Sequence, residues 1–292
     1  AASDVYKRQL AACGGSSGNG SSGGKKALTF QIWDVAQKEG METMCAAYTQ
    51  QHPEVSIEVQ VTSWNEYWTK LEAAATSNQM PDIFWMHTNE LLKYADNGML
   101  ADCSDIVEKD KFSEVSLSNA MGSNGTLYAV PKDKDTVGLV YNKEMFDAAG
   151  VAYPDENWTW DDLVSASEKI YAATGKYGYM AYADDQLGYW NFVYQAGGYI
   201  LNEDKTKAGF TQPATEKAMK FYIGLQQNDW CPDQTYFAET APGTAFFSEK
   251  GAMFLEGDWN ILAELQNYPE MVGKWDLSLI HISEPTRRRG IS

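Results

Sequence analysis

Apolar residues fall on alternate positions at Leu28, Phe30 and Ile32, and again at Ile57, Val59 and Val61, the period of strands with one buried face. Between these runs Met41, Met44, Cys45 and Tyr48 recur at helical spacing, which predicts an apolar face, and His52-Pro53 stops that helix. Tyr67, Leu71, Ala74 and Ala75 predict a second helix, and Ile83-Phe84 a third strand. Further on, Leu127 to Pro131 reads as a strand halted by its proline, and Lys132 to Thr136 as a charged crossing. A second apolar strand, Val137 to Tyr141, then runs into a helix opening near Asn142.

Beyond the crossing, Thr159 has the place of an N-cap, with Asp162 three residues on and Gly175 as a C-terminal stop. YGYMAYA reads as a strand, and YWNFVYQAGGYI as a helix closed by Gly197-Gly198. Ala218, Phe221, Tyr222 and Leu225 line one face of another helix, and GAMFLEG is a strand that delivers Asp258-Trp259 to a new helix. Before the crossing, strand–helix–strand alternation over Leu28 to Phe84 predicts parallel βαβ units under right-handed crossovers. The expected class is α/β in two lobes, 27–134 and 135–276, joined where the charged, helix-poor passage lies.

Composition narrows the classes. The chain carries a net charge of −17, and its two terminal pieces are basic, so residues 10–276 carry −20. Such a surface opposes nucleic acid and anionic lipid as partners through a basic face. AASDVYKRQ (1–9) and the segment 277–292, which opens LSLIHISEPTR, resemble translated halves of a sequencing adaptor and are set aside from fold reasoning. Leu10 to Gly14 resembles a bacterial lipobox, making Cys13 the expected lipidated residue, and the Gly/Ser run that follows (10–26 in all) is a tether spanning about 20 Å. Cys45, Cys103 and Cys231 form no CxxC pair, and their odd number implies no full disulfide framework.

Signals of catalysis are thin. Outside the basic tail only His52 and His87 are present, too few for a histidine metal site, and no nucleophile elbow, metalloprotease motif or phosphate loop occurs. No metal and no cofactor are expected. Signals of binding are stronger, with 10 Trp, 17 Tyr and 11 Phe, many beside loops. A sugar ring exposes C–H groups on its faces and hydroxyls at its rim, so an aromatic ring stacks on the face while carboxylates, amides and lysines bond the rim. Trp33-Asp34, Trp64 to Glu66, Trp85 to Asn89, Lys132 to Asp135, Tyr189 to Asn191 and Asp258-Trp259 place both chemistries at strand ends or helix starts.

The stretches LYAVPKDKDTVGLVYNKEMFDAAGV (127–151) and PDIFWMHTNELLKYADNGMLADCSDI (81–106) resemble the solute-binding proteins of sugar ABC transporters, with the maltose-binding type nearest in pattern. The resemblance covers most of Leu28 to Asp276. It implies the two-lobe, type II periplasmic-binding-protein-like fold, with the C-terminal elements that return to the first lobe missing from this chain. It also implies ligand contacts from Asp34, Trp85, Thr88, Asn89, Asp135, Trp190 and Trp259, and the aromatic-polar clusters add Trp33, Trp64, Glu66 and Asp258 to the candidate set. Thr88-Asn89 stands where the maltose-binding type has a charged pair, so the identity of the sugar does not carry over. Each residue has a plainer reading beside this one. Asp34 fits a helix cap, Asp135 the partner of a neighbouring lysine, and Trp158, Trp160 and Trp230 core packing.

The resemblance implies a lipid-anchored, extracytoplasmic monomer, on a Gram-positive surface, that binds a mono- or oligosaccharide by cleft binding and hinge closure. It would deliver the sugar to ABC permease subunits, touch the membrane only through its anchor, and perform no chemical step. The competing readings are the same fold with a peptide, polyamine or phosphate ester, a secreted glycan-active enzyme, and a surface adhesin.

Overall fold

The computed structural model describes residues 25–202 and 205–278, so Cys13 and residues 1–9 and 279–292 lie outside the described part. The chain divides after Lys132 into two compact units.

The first unit opens with β1 (Lys26–Ile32), α1 (Lys38–Gln51), β2 (Val55–Val61), α2 (Trp64–Thr76), β3 (Ile83–Phe84), α3 (Thr88–Asp96) and α4 (Glu114–Asn119). Its sheet has the order β2-β1-β3, all parallel, with Phe30 opposite both Val59 and Ile83. Parallel neighbours require crossovers, and α1 and α2 supply them. Ile32, Cys45, Val59 and Trp85 form the buried core on one side, with Phe30, Met41, Ile57 and Val61 packed around them. Tyr67, Leu71 and Tyr94 form a second buried group under α2 and α3.

Two expectations fail in this unit. Met44 and Tyr48 share the apolar stripe of α1 with Cys45 but are 62% and 47% exposed, while Cys45 is buried and Met41 packs on the core. Tyr48 stacks on His52 instead, with ring centroids 4.3 Å apart. Leu127 to Pro131 is not a strand. Leu127 makes a single antiparallel bridge to Met121 around a turn at Gly122 to Gly125, and its side chain is buried among Val107 and Ala120. Its apolar character serves a small loop core rather than a sheet.

The second unit contains β4 (Val137–Asn142), α5 (Lys143–Ala149), α6 (Trp160–Thr174), β5 (Tyr177–Tyr179), α7 (Trp190–Gln195), α8 (Pro213–Leu225), α9 (Gln234–Glu239), α10 (Pro242–Phe247), β6 (Gly251–Gly257), α11 (Asp258–Asn267) and β7 (Trp275–Ser278). Its sheet runs β5-β6-β4-β7, with β4 antiparallel to both neighbours and β5 parallel to β6. All seven residues of β6 are buried, and it is one of the two interior strands with β4. α6 starts at a reciprocal capping box between Thr159 and Asp162 and stops at Gly175 in the left-handed region, φ 67°. β7 carries Leu277 and Ser278 opposite Val140 and Leu139, so the first residues of the adaptor-like tail lie in the sheet.

Candidate functional site

In the first unit, three loops leave the carboxyl ends of parallel strands side by side. The Thr62 N–H donates to the Ile32 carbonyl and the Trp85 N–H to the Gln31 carbonyl, each at 3.0 Å, which pins the loops after β2 and β3 to the end of β1. The three loops bring Trp33, Trp64 and Trp85 together. Trp33 is the hub, with ring centroids 5.2 Å from Trp64, 5.2 Å from Tyr67, 5.9 Å from Trp68 and 5.0 Å from Trp85. Most of these contacts are edge-to-face, each worth about 0.5–1.5 kcal/mol beyond area burial, so the cluster is a rigid aromatic wall.

The members of this wall divide by exposure. Trp85 is buried, 7% exposed, with the Lys132 ammonium 4.2 Å from its ring centroid and the Tyr67 hydroxyl donating to its carbonyl at 2.7 Å. Burial raises the Tyr67 phenol well above its usual range. Trp64 is 43% exposed and meets Trp68 and His87 at its edges. It is the ring of this wall most open to a ligand. Trp68 was not singled out from sequence, although the Trp64–Trp68 spacing of four on a helix places both rings on one face.

The polar residues expected here are spread around the wall. Both oxygens of Asp34 are engaged, accepting from the Ala36 N–H and the Gln37 amide at 2.8 Å each, so Asp34 shapes the turn into α1. Glu66 is exposed and paired with Lys70 at 2.8 Å, and that bond lowers its carboxyl pKa. Thr88 and Asn89 open α3, exposed, with the Asn89 N–H donating to His87 Nδ1 at 3.2 Å.

In the second unit the sheet edge delivers another group. Asp258 exchanges two bonds with Thr136, its Oδ1 accepting the Thr136 N–H at 3.2 Å and its own N–H donating to the Thr136 carbonyl at 3.1 Å. It fastens the entry to β4. Trp259 is half-buried and folds back over Gly257, where an added Cβ would lie 2.2–2.3 Å from its six-membered ring. Only glycine fits beneath that indole. Trp190 opens α7, and its indole nitrogen is buried without a hydrogen-bond partner. Asp135 is exposed in the segment before β4. Glu256, absent from the expected set, sits buried near the end of β6; burial raises its carboxyl to about 7. A lone acid inside the run AMFLEG was the signal.

Residues 33–278 match the family described as bacterial extracellular solute-binding protein. The chain belongs to that family. A lactose-binding protein of Rhizobium radiobacter is 26% identical over 87% of this chain and 61% of its own length. Among solved structures, an ABC substrate-binding protein from Listeria monocytogenes in complex with cycloalternan superposes with a TM-score of 0.76 at 26% identity, covering 87% of this chain and 66% of that one. An ABC transporter solute-binding protein from Thermotoga lettingae bound with α-D-tagatose gives 0.75 and 26%, with 87% and 68% covered. The fold of this solute-binding chain is therefore the type II periplasmic-binding-protein-like α/β fold. The chain spans about half the length of the curated relatives it matches.

Proposed function

We propose that this solute-binding chain binds a carbohydrate, mono- or oligosaccharide, and delivers it unchanged to the permease subunits of an ABC importer. The observation that carries the reading is the Trp33-centred wall at the carboxyl ends of three parallel strands, with Trp64 exposed and amide, hydroxyl and carboxylate side chains around it. A flat apolar ring beside rim donors and acceptors is what a pyranose requires. The lactose-binding relative and the cycloalternan and tagatose complexes support the same class. Trp33, Asp34, Trp64, Glu66, Trp85, Thr88 and Asn89 are assigned to the ligand face of a lobe at 27–134. Asp135, Trp190, Asp258 and Trp259 are assigned to that of a lobe at 135–276. An extracytoplasmic monomer anchored through Cys13 is part of the same reading, and among the described residues no helix is long and apolar enough to cross a membrane.

A thermal-shift and calorimetric screen tests it, with mono- and oligosaccharides against amino acids, polyamines and glycerol phosphates. One sugar class is expected to raise the melting temperature and to be recovered intact by chromatography. A shift with the controls alone would sink the carbohydrate assignment, and recovery of a shortened sugar would make the protein an enzyme.

A further inference from the structure

The sixth of the seven buried residues of β6 is an acid. Glu256 is 4% exposed, and its Oε1 accepts the Gly257 N–H at 2.8 Å and the Asn260 side-chain amide at 2.9 Å. Gly257 is the N-cap of α11 and has no side chain with which to cap it. Glu256, one residue earlier, ties the backbone N–H of the cap and the side-chain amide of the third helical residue to a single oxygen. Trp259 lies between those two anchors, with its ring against the Gly257 α-carbon. The placement of this indole therefore depends on the turn that Glu256 holds.

The titratable groups facing Glu256 are Glu264 from α11, and Asp184 and Tyr182 from the segment after β5. α10 presents Gly243, where an added Cβ would lie 3.4 Å from Glu256 Oε2 and 2.7 Å from Glu264 Oε1. Burial, Glu264 and Asp184 all disfavour the charged carboxylate, while Asn260 and the Gly257 N–H favour it. Its charge changes at about pH 7. An ionised acceptor makes shorter and stronger bonds than a neutral one, so losing the charge loosens both anchors of the Trp259 turn.

We propose that Glu256 is a positioning residue for Trp259 and that carbohydrate binding is coupled to its ionisation, the charged form being the one that binds. The inference rests on the carbohydrate reading of the site. Binding then releases a proton, and affinity rises with pH through neutrality to a plateau.

The test uses the full chain carrying 5-fluorotryptophan, with the Trp259 fluorine signal assigned through Trp259→Phe and followed by NMR from about pH 5.5 to about pH 8.5. The expected result is a single titration of that signal near neutrality, absent in Glu256→Gln, which keeps one acceptor oxygen and cannot ionise. Glu264→Gln removes a neighbouring like charge and should lower the midpoint without abolishing it. The dissociation constant for the sugar should fall several-fold from about pH 6 to about pH 8 in the unaltered chain and stay flat in Glu256→Gln. A Trp259 signal that ignores pH, or a titration that survives Glu256→Gln, would overturn the proposal. A Trp259 signal that titrates in a chain that binds no sugar would overturn the coupling and the carbohydrate reading, leaving the positioning role established by the fluorine data.

Discussion

Trp64 and Trp33 touch each other and do different work. Trp64 is 43% exposed and makes its contacts at its edges, so Trp64→Ala removes a stacking surface with little loss of core. Isothermal titration is expected to show sugar affinity weakened several-fold, about 1 kcal/mol, with the melting temperature nearly unchanged. Trp33 packs against two of the buried groups of its unit, and Trp33→Ala should instead destabilise that unit by about 3 kcal/mol. Equal loss of stability in the two variants would show that Trp64 is packing. Glu256 yields a prediction of another kind. Its carboxyl pKa is raised by burial from 4.5 to about 7, so the native state holds the proton more tightly than the unfolded chain. The stability linked to this proton is present below about pH 4.5 and is lost as pH rises to about 7, roughly 3 kcal/mol in all. Urea unfolding of Glu256→Gln across that window should lack this slope. Stability favours the neutral acid while binding is proposed to favour the charged one, an opposition expected where a buried group serves a site rather than the fold.

At the scale of elements, most of the α/β skeleton was legible in the sequence because local and tertiary preferences agree. The alternation at Leu28, Phe30 and Ile32 became β1, and Thr159, Asp162 and Gly175 became the two ends of α6. The misreadings arose where a local pattern had a non-local use. Leu127 is apolar for a loop core, and of the α1 stripe Cys45 is buried while Tyr48 stacks on His52. The wall of tryptophans was half legible, since the sequence shows aromatics at strand ends but not which ring Lys132 and Trp33 cover. The join of β6 to α11 is the most demanding of these elements. Gly257 leaves no room for a Cβ under Trp259, and Gly257→Ala should push the indole off its seat. Overpacking of this kind costs about 1–3 kcal/mol, and sugar affinity should fall with it. A crystal structure of the variant with Trp259 unmoved would refute the close-approach argument.

Two units with separate cores imply, at the scale of the whole chain, two cooperative transitions in a calorimetric scan. Each can be tagged by a substitution that acts in one unit alone. Thr159→Ala removes a cap of α6 and should lower the second unit's transition by the equivalent of about 1 kcal/mol, while Trp33→Ala should lower only the first. With the transitions assigned, the sugar itself becomes a probe of which residues hold it. A ligand at about 100 times its dissociation constant stabilises whatever it binds by about 2.7 kcal/mol. A sugar held by Trp64 should raise the first transition, and a sugar held by Trp259 the second. Trp64→Ala should then weaken the shift of the first transition. A sugar that raises the first transition and leaves the second in place would remove Trp190, Asp258 and Trp259 from the ligand set.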